Sequence, residues 1–111
     1  MTRLQQLASN RGFQLAGVAP AIPVEPDAAH FLDWVARGMA GRMSYLTDHC
    51  ADIRTDPSKL LPSVRSILCV ARSYKCPESG PIARYARGED YHDTMRRDME
   101  ALVRDLELEF G

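Results

Sequence analysis

The polar stretch from Ile82 to Asp93, IARYARGEDYHD, holds the side chains of this chain that are best suited to chemistry. These are cationic, phenolic and imidazole groups: Arg84, Tyr85, Tyr91 and His92. Gly88 allows the backbone to turn sharply, and Asp90 can cap a helix that follows, so these groups would meet at a helix N-terminus, which attracts anions. Two interpretations stay open at this point: the rim of a site for a phosphate-bearing ligand, or a charged turn before a capped helix.

A second candidate is Arg54, in the segment ADIRTDP. A guanidinium offers a planar fork to a phosphate or carboxylate group, so Arg54 could anchor an anionic ligand. It also has Asp52 and Asp56 close by in sequence, and an exposed ion pair with either would contribute little to stability. Taken alone, the local composition favours the second interpretation, in which Arg54 is an ordinary charged residue of the surface.

Several familiar kinds of site are absent from the sequence. The 111 residues contain no phosphate-binding or dinucleotide-binding glycine motif, no nucleophile-elbow motif and no C-x-x-C pair. The three cysteines, Cys50, Cys69 and Cys76, are widely spaced, and a four-iron cluster needs four thiolates, so they cannot ligate one by themselves. We expect them to be free, buried or half-buried thiols, and we predict no metal site.

The elements that would position the candidate residues alternate between helix and strand. Thr2 and Gln5 form a capping-box pattern for a first helix that ends at Gly12. The apolar segment FQLAGVAP then predicts a buried strand, and Asp27 can cap a second helix. The segment MSYLTDH predicts a further helical turn, with Tyr45 and Leu46 buried.

The second half of the chain follows the same alternation. We interpret DIRTDPSKLLPS as a connector and RSILCVARSY, from Arg65 to Tyr74, as an interior strand that is apolar and covered on both faces. Ile82 to Ala86 could form a short strand. The last helix begins at Asp90 and carries an apolar stripe that runs from Met95 to Phe110. The predicted fold class is therefore mixed α/β, with a small sheet flanked by helices.

The overall composition limits the class of protein. A length of 111 residues suits one domain, and a net charge of −1 argues against wholesale electrostatic binding to nucleic acid. No apolar run approaches the roughly 20 residues that span a bilayer, and the N-terminus lacks a signal-peptide pattern. We therefore predict a cytoplasmic protein that is not bound to a membrane.

Two blocks of motifs together resemble the N-terminal part of the epoxyqueuosine reductases. They are GRMSYLTDHCADIRTDPSKLLPSVRSILCVARSY and GPIARYARGEDYHDTMRRDMEAL, which carry R-x-D-P, L-L-P and R-Y-A-x-G-x-D-Y-H in this order. The resemblance extends over nearly the whole chain. It implies an oxidoreductase that reduces epoxyqueuosine to queuosine in tRNA, the last step of queuosine biosynthesis, with cobalamin and two [4Fe-4S] clusters as cofactors. It also implies that residues 1–111 form a single, partial N-terminal domain that binds cobalamin.

The resemblance also implies roles for individual residues. The positions that match the family's motifs, and that would therefore contact cobalamin, are Arg54, Arg84, Tyr85, Tyr91 and His92. The family's catalytic acid lies in a D-[ST]-G-P motif, which we expect beyond Gly111, so no catalytic residue is expected here and the chain alone is predicted to be inactive. The alternatives are a stand-alone corrinoid-binding module and an interaction module that associates through an unpaired strand edge.

Overall fold

The structure is a computed structural model, and it describes residues 1–75 and 79–111. Within these residues the regular elements are four helices and two strands: α1 (Arg3–Asn10), β1 (Leu15–Pro20), α2 (Asp27–Ala36), α3 (His49–Thr55), β2 (Ser66–Ala71) and α4 (Tyr91–Phe110). Short 3-10 turns lie at Ser44–Leu46, Pro57–Lys59 and Arg84–Ala86. The predicted mixed α/β class is confirmed.

Strands β1 and β2 form a two-stranded sheet. The backbone N–H of Gln14 donates to Ala71 at 3.0 Å and that of Ala21 donates to Arg65 at 3.1 Å, so the strands run antiparallel. Both strands were predicted to be buried, and this was wrong. Leu15 and Val18 of β1 are 70% and 60% exposed, although Ala16 between them packs against the core of the first unit.

The chain divides into two compact units, one made of residues 1–17 and 68–111 and the other of residues 18–67. The expectation that they belong to one partial domain stays a prediction. The core of the first unit comprises buried residues from α1, from α4 and from the start of the strand region: Leu7, Ala8, Phe13 and Leu102. Leu68 and Val70 of β2 and Met95 and Leu106 of α4 pack against this core.

A capping box begins α1, and ion pairs from α1 and from Arg11 hold it against α4. The Thr2 side chain accepts a hydrogen bond from the Gln5 N–H at 3.2 Å, and the Gln5 side chain accepts one from the Thr2 N–H at 2.9 Å, so the predicted capping box is confirmed. Arg11 then donates two hydrogen bonds to the carboxylate of Asp105, at 2.6 and 2.7 Å. Arg3 makes the same kind of paired contact with Glu109, at 2.8 and 3.0 Å.

The C-terminal end of α4 is capped by Gly111. Its backbone N–H donates to the carbonyl of Glu107 at 3.0 Å, which satisfies one of the last acceptors of the helix. Its φ of +90° lies in the left-handed region that glycine adopts without strain. The helix predicted from the apolar stripe is confirmed, and α4 extends over the whole stripe to Phe110. The expectation that the family's catalytic acid lies beyond Gly111 stays a prediction.

In the second unit, two of the predicted element boundaries were wrong. Asp27 lies in the first turn of α2 and its side chain does not cap that helix. The segment interpreted as a connector begins inside a helix, because α3 runs from His49 to Thr55 and only then gives way to the 3-10 turn that Asp56 caps. The predicted helical turn at Ser44–Leu46 is confirmed, although Tyr45 is 59% exposed rather than buried.

Candidate functional site

A pocket of about 570 Å³ opens in the first unit, beside the end of β2 and the start of α4. Its lining comes from the residues that follow β2, from the turn around Arg84–Ala86 and from the first turn of α4. The lining residues are Arg72, Ser73, Tyr74, Lys75, Arg84, Tyr85, Arg87, Glu89, Tyr91, Thr94 and Met95. Such a mixture of aromatic surface and a few polar groups is typical of a ligand site.

The start of α4 is fixed by Asp90, as the sequence predicts. Its carboxylate accepts a hydrogen bond from the backbone N–H of His92 at 2.9 Å. That bond, followed by the contact with the His92 side chain, lowers the pKa of Asp90 below its ordinary value of 3.8. Gly88, with φ of +83°, makes the turn that brings the chain to this cap. Tyr91 therefore becomes the first helical residue and lies at the pocket.

The turn that carries Arg84 and Tyr85 is closed by Arg87. The Arg87 guanidinium donates to the carbonyl of Ile82 at 2.7 Å and to that of Gly80 at 2.6 Å. The two carbonyls thus accept hydrogen bonds from a side chain, and not from the backbone of a neighbouring strand. The predicted short strand from Ile82 to Ala86 is therefore wrong, and a 3-10 turn holds Arg84 and Tyr85 at the pocket.

Arg72 forms a rigid part of the pocket wall. Its guanidinium donates to the carbonyls of Gly12 at 3.0 Å and Arg11 at 2.6 Å, and to the carboxylate of Asp98 at 2.7 Å. The same group lies 4.7 Å from the centre of the Phe13 ring, within the range of a cation–π contact. Arg72 thus joins the end of β2 to α4 and to the turn after α1. Its charge is already matched by Asp98.

Two other cations of the pocket are available to a ligand. Within the described part of the chain, the side chains of Lys75 and Arg84 make no ion pair or hydrogen bond, and both are exposed. Tyr85 and Tyr91 lie in the same pocket and are 60% and 51% exposed. Glu89 is the one acidic lining residue among residues 1–75 and 79–111, and its carboxylate is 4.0 Å from the guanidinium of Arg97. The pocket can therefore bind an anionic group next to a flat ring.

The structure brings together three of the five predicted site residues: Arg84, Tyr85 and Tyr91. His92 is not part of the pocket lining. Its ring stacks on that of Tyr91, with centroids 4.0 Å apart, and its Nδ1 atom is 2.9 Å from the Asp90 carboxylate. Arg54 belongs to the other unit, where its Nε donates to the Tyr45 carbonyl at 3.1 Å and its guanidinium lies 5.9 Å from the Tyr45 ring centre.

Sequence reasoning missed the wall that follows β2, namely residues 72–75. The signal that could have revealed it is the change from the apolar run SILCVA to the polar and aromatic run RSYK at the end of a predicted strand. Of the cysteines, Cys50 is half-buried as predicted, whereas the prediction was wrong for Cys69, which is exposed. Cys76 lies outside the described residues.

Comparison with known proteins identifies the group to which this sequence is related. Residues 54–111 match the family described as "Epoxyqueuosine reductase QueG, DUF1730", and this match includes both Arg54 and the whole stretch around the pocket. The chain belongs to this family. The expected resemblance is therefore confirmed, and it rests on just over half of the 111 residues.

Individual members of the epoxyqueuosine reductase family match over nearly the whole chain. The epoxyqueuosine reductase of Gloeobacter violaceus is 36% identical over 95% of this chain and 34% of its own length. Those of Xanthomonas campestris and Cyclobacterium marinum are 31% and 30% identical, over 98% and 97% of this chain and 34% and 37% of their own lengths. The chain thus spans about a third of these curated relatives. No solved structure matches it significantly.

None of the helices within residues 1–75 and 79–111 has the length and apolar character needed to cross a membrane. The same residues contain no group of three or more histidine, cysteine, aspartate or glutamate side chains placed to hold a metal ion.

Proposed function

We propose that this chain is the cobalamin-binding portion of an epoxyqueuosine reductase, an oxidoreductase that reduces epoxyqueuosine to queuosine in tRNA, in the cytoplasm. The observation that supports the proposal best is the match of residues 54–111 to the family. The pocket formed by the R-Y-A-x-G-x-D-Y-H motif supports it further, because Arg84, Tyr85 and Tyr91 of that motif converge there.

The chemistry of the pocket fits one part of cobalamin. Cobalamin consists of a corrin ring with neutral amide arms and of a tail in which a phosphate and ribose carry a benzimidazole. The cationic side chains of Lys75 and Arg84 suit the phosphate, and the phenol rings suit the flat surfaces. Pockets for small ligands measure roughly 300–1,000 Å³, so a cavity of about 570 Å³ can enclose part of this large cofactor.

The side chains of this pocket can bind and orient a cofactor. When bound, cobalamin supplies the reducing chemistry, and the protein supplies orientation and electrostatics. Here Arg84 and Lys75 would neutralise the anionic part of the cofactor, while Tyr85 and Tyr91 would hold its flat surface. Arg72 would keep the wall in place through Asp98 and Gly12. Arg54 and His92 remain family-matched candidates for the same cofactor.

Turnover requires groups that these 111 residues do not supply. Two [4Fe-4S] clusters need eight thiolates by the usual four-cysteine ligation, whereas this sequence has three cysteines. It also lacks the D-[ST]-G-P motif that carries the family's acid, and reduction of an epoxide needs a proton donor. We therefore propose that the chain binds cofactor but does not reduce epoxyqueuosine in tRNA by itself.

A titration followed by an assay tests both parts of the proposal. Adding the chain to cob(II)alamin should change the cobalamin spectrum and saturate at one equivalent, with tyrosine fluorescence changing in parallel. The loaded chain, with reductant and tRNA carrying epoxyqueuosine, should then form no queuosine. Absence of any spectral change would contradict cobalamin binding and favour an interaction module. Formation of queuosine would contradict the proposed inactivity.

A further inference from the structure

We propose that Gln14 and Asp98 are positioning residues of the pocket: from outside its lining, they hold the wall of residues 72–75 in one arrangement before a ligand binds. Neither residue belongs to the pocket lining, and both lie in the same unit as the wall. The inference rests on the proposed function, because it says how that pocket is kept ready for its cofactor.

Gln14 binds the wall on both sides of Arg72. Its backbone N–H donates to the carbonyl of Ala71 at 3.0 Å, and its side-chain Oε1 accepts a hydrogen bond from the backbone N–H of Ser73 at 2.8 Å. Strand β2 ends at Ala71, so the second bond continues the pairing beyond the strand through a side chain. Gln14 therefore fixes the backbone at the point where the wall begins.

Asp98 fixes the wall from the side of α4. Each nitrogen of the Arg72 guanidinium donates one hydrogen bond: Nε to the Gly12 carbonyl at 3.0 Å, Nη2 to the Arg11 carbonyl at 2.6 Å and Nη1 to Asp98 Oδ2 at 2.7 Å. The side chains of Arg72 and Asp98 are 24% and 21% exposed, so solvent screens this ion pair less than a surface pair. The Asp98 carboxylate is thus the charged anchor of Arg72 on α4.

The other oxygen of Asp98 reaches towards the opposite side of the pocket. Oδ1 accepts a hydrogen bond from Arg97 Nε at 3.2 Å, and Arg97 Nη1 lies 4.0 Å from the carboxylate of Glu89, a lining residue. Arg97 and Glu89 are 65% and 77% exposed, so their contact adds little. The bond from Arg72 therefore accounts for most of the positioning by Asp98.

The wall needs such anchors because its ligand-facing side chains are not held by packing. Tyr74 is 71% exposed and Lys75 is exposed. Their positions follow from the backbone of residues 72 and 73, which Gln14 and Asp98 fix. A wall that is ordered before binding spares the ligand the entropic cost of ordering it, and this raises affinity without any new contact.

Two matched pairs of variants of the full chain test the inference. Gln14→Met removes the acceptor of the Ser73 N–H at nearly the same side-chain length, whereas Gln14→Glu keeps an oxygen there. Asp98→Asn removes the charge that anchors Arg72. Its control, Asp105→Asn, removes the charge of another α4 carboxylate, which binds Arg11 at 2.6 Å and is not a lining residue. Urea denaturation measures the stability of each variant.

The first measurement is hydrogen exchange of the free chain by NMR. Exchange of the Ser73 backbone N–H should become about tenfold faster or more in Gln14→Met and stay near the wild-type rate in Gln14→Glu, because only the former lacks the acceptor. Exchange of the Arg72 Nε–H should become faster in Asp98→Asn and stay unchanged in Asp105→Asn.

The second measurement is the affinity for cob(II)alamin. Gln14→Met and Asp98→Asn should each weaken binding about tenfold, and Gln14→Glu and Asp105→Asn should bind as the wild type does. Equal weakening by Asp98→Asn and Asp105→Asn would show that general stability, and not the wall, is responsible, and would overturn the inference.

The remaining outcomes separate the inference from the proposed function. If the wild-type chain binds cob(II)alamin and neither Gln14→Met nor Asp98→Asn weakens binding, the inference is overturned and the proposed function stands. If the wild-type chain does not bind cob(II)alamin, the proposed function fails and the exchange rates decide the inference. Faster exchange in only the expected variants would support the anchored wall, and unchanged exchange would overturn it.

Discussion

Gly12 and the guanidinium of Arg72 are packed so closely that there is no room for a side chain between them. A Cβ atom on Gly12 would lie 2.9 Å from Nη2 of Arg72. Arg72 could not move aside cheaply, because three hydrogen bonds hold it to Gly12, Arg11 and Asp98. Gly12 also has φ of +82°, a conformation that costs any other residue strain energy. Two independent effects thus require glycine at this position.

The first prediction follows from this contact. Gly12→Ala should lower the free energy of unfolding by about 1–3 kcal/mol, from backbone strain and displacement of Arg72. Urea denaturation measures it. Gly17→Ala is the matched control, since a methyl group on Gly17 would meet no atom within 4 Å and this residue has no positive φ. Equal stability of the two variants would contradict the argument.

Sequence reasoning at the residue scale found groups that lie close together in the chain. Arg84, Tyr85 and Tyr91 come from one short motif and meet in the pocket, while their role in binding stays a prediction. Arg72 was missed because its partners Gly12 and Asp98 are 60 and 26 residues away in sequence. His92 follows Tyr91 directly but is not among the lining residues of the pocket, and its Nδ1 atom lies 2.9 Å from the Asp90 carboxylate.

Helices α1 and α4 illustrate how charge stabilises a packed pair of elements. Arg11 and Arg3 bind Asp105 and Glu109 through two hydrogen bonds each. These bonds lower the pKa of Asp105 and of Glu109 below their ordinary values of 3.8 and 4.5. The pKa of Asp98 is also lowered, mainly by the hydrogen bond that its carboxylate accepts from Arg72. All three carboxylates are therefore more acidic when the protein is folded.

The second prediction is the pH dependence of stability. A carboxyl group with a lowered pKa in the folded state contributes stability that is fully present above its unfolded pKa, about 4. That contribution is lost as the pH falls through the folded pKa. We expect the free energy of unfolding to be level from about pH 7 to 5 and to fall steadily below about pH 4. Urea denaturation across this pH range measures the profile.

A double-mutant cycle assigns the effect to the helix pair. Asp105→Asn should reduce the loss of unfolding free energy below about pH 4, and Arg11→Gln should reduce it in the same way. The double variant should differ little from either single variant, because both remove one shared interaction. Additive effects would show that Arg11 and Asp105 act separately.

At the scale of elements, the sequence predicted helices better than strands. The ends of α1 and α4 follow from local caps at Thr2 and Asp90, whose hydrogen bonds span only two or three residues. Short apolar runs also located β1 and β2, but such runs give no information on whether another layer covers the strands. That is why two strands predicted as interior have exposed residues such as Leu15 and Val18.

The molecule as a whole exposes much apolar surface for its length. Both strands of the sheet have an unpaired edge among the described residues, and β1 also exposes Leu15 and Val18. On α4, Met99, Val103 and Phe110 belong to the predicted apolar stripe yet are 43%, 52% and 63% exposed. The mixed α/β class was predictable from the order of elements. The division into two units was not, because it depends on contacts between residues distant in sequence.

The third prediction concerns self-association. Unpaired strand edges pair readily with other chains, and a lysine on such an edge discourages this. We expect the chain to associate at high concentration in sedimentation equilibrium, and Val18→Lys to shift it towards monomer. Val103→Lys makes the same change on α4 and should act more weakly. If Val103→Lys dissociates the chain and Val18→Lys does not, the helix and not the strand edge is responsible.

The distribution of aromatic residues gives the two units separate optical signals. The single tryptophan, Trp34, lies in the unit of residues 18–67 and stacks on Phe31 with ring centres 6.0 Å apart. Three of the four tyrosines, Tyr74, Tyr85 and Tyr91, lie in the other unit and line the pocket. Tryptophan emission therefore reports the unfolding of one unit, while tyrosine absorbance follows mainly the other, because only Tyr45 lies in the same unit as Trp34. Spectroscopy on the unlabelled chain can show whether the units unfold in one transition or two.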